Sequence, residues 1–108
     1  MPVTFAVDGD TTYTAVDAKP KRTQRLQRLV NLRSQPRCAL LVDHYDADWS
    51  RLWWVRADGE ASIVDEPSPS DPGLAHLAAR YRAYAADRPT GPLIVVTVLR
   101  WSGWSAVS

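Results

Sequence analysis

Residues 37–66 read RCALLVDHYDADWSRLWWVRADGEASIVDE, and this stretch decides the fold class. Residues 37–45 are an apolar strand that turns polar at its end. DADWS (46–50) reads as a turn, since Asp and Ser side chains bond nearby backbone in tight loops. Residues 51–57 return as a strand. Asp58-Gly59 is a second hairpin signal, and 60–66 is the returning strand. Strands joined by turns this short pair antiparallel.

The same signals extend outward. PVTFAV (2–7) and TTYTAV (11–16) flank Asp8-Gly9-Asp10 and predict an N-terminal hairpin. Pro20 breaks the second strand and can open a helix. Leu26, Leu29 and Val30, with Leu32, follow at helical spacing until Gln35-Pro36, because the residue before a proline avoids the α region. PSPSDPG (67–73) is a linker. A second helix follows, with Leu74, Leu77, Ala78, Tyr81 and Ala85 on one face, Asp71 as N-cap and Pro72 in the first turn. RPTGP ends it. LIVVTVLRW (93–101) is a final strand and SGWSAVS a tail. The order is β-β-α-β-β-β-α-β. It predicts an α+β, mainly β domain in which two helices pack on an antiparallel sheet curled into a small barrel.

The bulk numbers bound the function. A length of 108 residues suits one domain, 1–108, with a modest core. Thirteen basic against twelve acidic residues leave a net charge of +1, so no global field draws the chain to nucleic acid or a membrane surface. One cysteine, Cys38, permits no internal disulfide. It suits a reducing cytoplasm and reads as a buried, inert thiol. No apolar run approaches the roughly 20 residues of a membrane span. MPVTFAVDGD lacks the basic and apolar segments of a signal peptide.

Three groups of residues are candidates for chemistry. His44 stands beside Asp43, Asp46 and Asp48, but one histidine among turn aspartates reads as a solvated turn rather than a metal site. His76 reads as structural or exposed. Of the five tryptophans, Trp53 and Trp54 are adjacent on a strand and so point to opposite faces. One can enter a core. The other must meet a partner, a ligand or solvent. Finally, seven basic residues (Lys19, Lys21, Arg22, Arg25, Arg28, Arg33 and Arg37) stand in residues 19–37 with no acidic one among them. Arg25, Arg28 and Arg33 read as a solvated helix face. Lys19, Lys21 and Arg22 sit at a helix start, where free N–H groups favour an anion and where cations alone oppose the helix dipole. These three are the candidate phosphate site.

VTFAVDGDTTYTAVDAKPKR, LLVDHYDADWSRLWWVRADGEA and GPLIVVTVLRWSGWSA together resemble the actinobacterial, F420-dependent branch of the pyridoxamine 5′-phosphate oxidase-like family, the FMN-binding split barrels. The resemblance covers nearly the whole chain. It implies an antiparallel six-stranded split β-barrel with two helices, lacking the family's usual first helix and strand, which would precede PVTFAV. It implies a homodimer with a flavin-type cofactor between subunits, coenzyme F420 or alternatively FMN, and a small-molecule substrate that is planar and conjugated, such as a quinone, tetrapyrrole or nitro-aromatic. The ring would contact the backbone at Val3, Thr4 and Phe5, and the phosphate Thr14, Lys19 and Lys21, with Arg22 nearby. Trp54, Arg56, Trp101 and Trp104 would approach the ring. Hydride transfer by the cofactor would explain why no acid–base pair stands out. A non-catalytic protein binding flavin, F420 or haem is the alternative. Nucleic-acid binding is disfavoured by the balanced charge. If Lys19, Lys21 and Arg22 form a phosphate site, Lys21→Ala weakens cofactor binding about tenfold or more and Arg28→Ala leaves it nearly unchanged. A fluorescence titration checks this, and equal losses would mean diffuse charge instead.

Overall fold

A computed structural model of the chain describes residues 3–15, 29–68, 70–86 and 92–106. Its strands are β1 (Ala6–Asp8), β2 (Thr11–Ala15), β3 (Arg37–His44), β4 (Trp53–Val64) and β5 (Leu93–Ser105). The helices are α1 (Pro72–Arg80) and α2 (Arg82–Ala86), with a 3₁₀ turn at Trp49–Arg51 and helical residues 29–34 ahead of Pro36. All strands form one antiparallel sheet in the order β1-β2-β5-β4-β3.

The N-terminal hairpin forms where the sequence places it. Asp8 pairs with Thr11 across a two-residue loop, and Gly9 supplies the positive φ of 60° that the loop requires. Asp71 caps α1 by accepting the Gly73 N–H at 2.8 Å. The helix before Pro36 also ends as expected, with Gln35 N–H bonded to the Asn31 carbonyl.

Three expectations are corrected. Asp58-Gly59 is not a hairpin turn, because β4 runs unbroken through it. A Cβ at position 59 would overlap the Thr97 carbonyl oxygen of β5, so Gly59 serves a close backbone approach, the other use of glycine in a strand. One strand stands where two were expected. The described sheet therefore has five strands rather than six, and β1 and β3 remain its edges, so a closed barrel is not formed among the described residues. SGWS is not a tail but the end of β5, paired with the start of β4. The second helix breaks at Tyr81 into α1 and α2, with Tyr81 extended at φ −119°.

Alternation along β5 builds a core on each face. Leu93 faces α1 and packs with Leu74, Leu77 and Ala6, and Tyr13, Tyr81 and Tyr84 close the rim. Ile94, Val96 and Val98 face the other way and pack with Ala57 and Leu29 of the 29–34 helix. Leu74, Leu77 and Leu93 are essentially inaccessible, each contributing about 2 kcal/mol by burial. β3 is less enclosed than its apolar composition suggests: Cys38, Leu40 and Val42 are half-buried and Leu41 is exposed. Replacing Gly59 forces β4 and β5 apart. Gly59→Ala should therefore cost roughly 2–3 kcal/mol, read as a lower midpoint in urea unfolding; an unchanged midpoint would mean that the two backbones are not in close contact.

Candidate functional site

The sheet curls enough that its two edge strands border one cavity of about 480 Å³. Phe5 and Val7 line it from the β1 side, Leu40 and Val42 from β3, and Ala57 and Trp101 from the sheet's middle. Nearly all of these are apolar, and the volume is that of an ordinary small-molecule pocket.

Trp101 faces this cavity because of an irregularity in the β4–β5 ladder. Asp58 pairs with Arg100 and Gly59 with Val98, which leaves Leu99 unpaired. The extra residue reverses the alternation beyond it. Trp101 therefore stands opposite Ala57, on the face of Val96 and Val98, while Trp104 stands opposite Trp54 on the other face. The indole is then held from the far end of the hairpin. Trp101 Nε1 donates to Asp10 Oδ1 at 2.8 Å, and the Val98 N–H donates to the Asp10 carbonyl at 2.7 Å.

The β1 side is held as firmly. Phe5 N–H donates to the Tyr81 hydroxyl at 3.1 Å, and the Arg80 guanidinium lies 4.5 Å from the Phe5 ring centroid. Thr4 Oγ1 and the Tyr84 hydroxyl are 2.9 Å apart. Thr14 Oγ1 donates to the Thr4 carbonyl.

The candidate residues thus separate. Val3, Phe5 and Trp101 come together around the cavity. Thr4 and Thr14 lie nearby with their hydroxyls bonded to protein. Trp54, Arg56 and Trp104 gather on the opposite face, where Trp54 and Arg56 border a second hollow of about 430 Å³ and Arg56 holds Asp58 with two N–H groups. Lys19, Lys21 and Arg22 lie outside the described residues. Of the other candidates, His44 stacks on Trp53 and approaches Asp46 at 3.5 Å, and His76 stacks on Tyr13 and approaches Asp8 at 3.3 Å. No group of three or more His, Cys, Asp or Glu comes together among the described residues. Burial pushes the Cys38 thiol up from its ordinary pKa, and the nearby Asp58 charge adds to that.

Sequence reasoning missed two residues of this site. Asp10 was legible only as a turn residue. Thr12 shares the face of Thr14 by simple alternation, a signal that was available, and it lines the cavity with a side chain 2% exposed. Its Oγ1 is buried and has no hydrogen-bond partner among the described residues.

The model describing pyridoxamine 5′-phosphate oxidase matches residues 1–107. The chain belongs to the pyridoxamine 5′-phosphate oxidase-like family. A solved structure titled as a conserved hypothetical protein, Rv2991 from Mycobacterium tuberculosis, superposes with a TM-score of 0.64 at 22% identity, over 94% of this chain and 65% of that one. The chain thus spans about two thirds of that protein's length. No curated protein matches. The fold is that of a flavin-binding oxidoreductase family, and the apolar cavity with its aromatic wall and spare hydroxyl fits a ring of that type. Among the described residues no helix is long and apolar enough to cross a membrane.

Asp10→Ala should free the Trp101 indole while leaving the other four in place. The expected result is faster solvent exchange of one indole N–H in the ¹⁵N spectrum, assigned with Trp101→Phe. Unchanged exchange would mean that Asp10 does not hold the ring.

Proposed function

We propose that this chain is an oxidoreductase that uses a flavin-type cofactor, coenzyme F420 in the leading version and FMN in the alternative, acting on a planar conjugated small molecule. The observation that carries the reading is the apolar cavity bounded by Val3, Phe5 and the fixed plane of Trp101, in a chain of this family. When bound, the cofactor supplies a hydride to the acceptor. This chain's residues bind, orient and exclude water. Phe5 and Val3 form one wall and Trp101 the other. Lys19, Lys21 and Arg22 hold the phosphate end in this reading.

The protein acts as a homodimer in the cytoplasm. Supporting the dimer, Trp104 is 49% exposed beside the exposed Trp54 on the sheet face away from the cavity. Exposed tryptophans set among charged groups, here Arg56 and Asp58, suit an interface between copies of the chain. Supporting the cytoplasm, the sequence holds one cysteine and so no internal disulfide.

Titration of the purified protein with F420 and with FMN, followed by fluorescence, tests the reading. We expect F420 to bind with a Kd on the order of 1 μM, and the reduced cofactor to be oxidised by a quinone acceptor. Tight FMN binding with no F420 affinity would replace the leading version with the alternative. Binding without turnover across an acceptor panel would make the chain a carrier, and binding of neither would end the cofactor reading.

A further inference from the structure

Thr12 lies on β2 between Val7 and Val96 in the ladder, with Ala57 and Trp101 among its companions around the cavity. A valine would match these neighbours in shape. The threonine instead carries a hydroxyl for which the described fold supplies no partner, although its neighbour on the same face, Thr14, spends its own on the Thr4 carbonyl. A buried hydroxyl left unpaired is unfavourable, and such groups are rare enough to need a reason. The reason here is the cavity. Every other side chain that the described walls turn inward around Thr12 is apolar, so one hydroxyl stands in a site that otherwise selects only shape.

We infer that Thr12 is the polar anchor of this cavity, donating its O–H to a carbonyl oxygen on the edge of a planar conjugated ring. Its Oγ1 is closed to solvent, and a rotation of about 120° around Cα–Cβ to another staggered position is the movement that would present it to the cavity. Trp101, held by Asp10, sets the plane of the ring, and Thr12 sets its direction within that plane. This deepens the cofactor reading and rests on it for the cavity being where the ring lies. A single hydrogen bond in an apolar site is the economical way to obtain such selectivity, since shape alone distinguishes poorly between isosteres while an unmet hydrogen bond rejects the ligand that lacks it.

The test is a matched pair of tricycles, fluorenone and fluorene, which differ in one carbonyl, titrated against the wild type, Thr12→Val and Thr12→Ser by tryptophan quenching. We expect the wild type to prefer fluorenone by about tenfold. Thr12→Val should abolish that preference while fluorene affinity holds, and Thr12→Ser should restore it. The free Thr12→Val protein should unfold at the same temperature as the wild type or higher. A preference that survives in Thr12→Val overturns the proposal, as does equal binding of the two tricycles by the wild type. A lower unfolding temperature of free Thr12→Val also overturns it, because the hydroxyl would then have a protein partner. F420 and FMN on the same three proteins separate the two readings. If the tricycles behave as expected and neither cofactor binds, Thr12 stands as the anchor and the cofactor reading falls. If no probe binds the wild type, both fall.

Discussion

The ladder between β4 and β5 is the constraint on which the rest depends. It is the longest pairing in the molecule, running from Trp53 opposite Ser105 to Val64 opposite Leu93. β5 lies at the centre of the sheet, so β2 on one side and β4 on the other both take their register from it. The ladder's one irregularity, at Asp58/Gly59, has two consequences. It brings the chains so close that only glycine fits at 59. It also leaves Leu99 unpaired and thereby turns Trp101 toward the cavity and Trp104 away from it.

Burial is unevenly distributed around that ladder. The half of the sheet near Leu93 is covered on both faces, by α1 and by the 29–34 helix. The half near Trp53 and Ser105 is not: Trp53, Trp54, Val55, Trp101 and Trp104 are each more than a third exposed. A small domain gains its stability from the first half and leaves large apolar side chains exposed on the second. The edge at β1 is managed locally. The Tyr81 hydroxyl occupies the Phe5 N–H, and Arg80 covers the Phe5 ring, which leaves less of the strand open to unwanted pairing. The break between α1 and α2 is what delivers both tyrosines to that edge.

Much of this was legible residue by residue. Asp8-Gly9-Asp10 announced its hairpin, Asp71-Pro72 its helix start and Gln35-Pro36 its helix end, because each depends on backbone preferences within a few residues. Asp58-Gly59 carried the same local signal as the first hairpin and meant something else. Glycine serves both a turn and a close approach, and only the neighbouring strand distinguishes them. The site divides in the same way. Phe5 and Trp101 line the cavity while Trp54, Arg56 and Trp104 stand on the other face, and which of the two faces Trp101 takes turns on the bulge at Leu99, which no local pattern reports. Asp10 had no signal beyond its turn, since its partner lies at the other end of the chain.

The amino-acid order by itself determined the antiparallel character of the sheet, the positions of the caps and turns bounded by proline, and the family. All of these follow from local conformational preference or from extended similarity along the chain. The tertiary structure alone decided the strand count, the face that each tryptophan occupies, and the joining of Asp10 to Trp101 across 91 positions. It also decided that Thr12, and not Thr14, has a hydroxyl without a partner among the described residues. The physical reason is that a side chain's face is set by register, and register is a property of two strands.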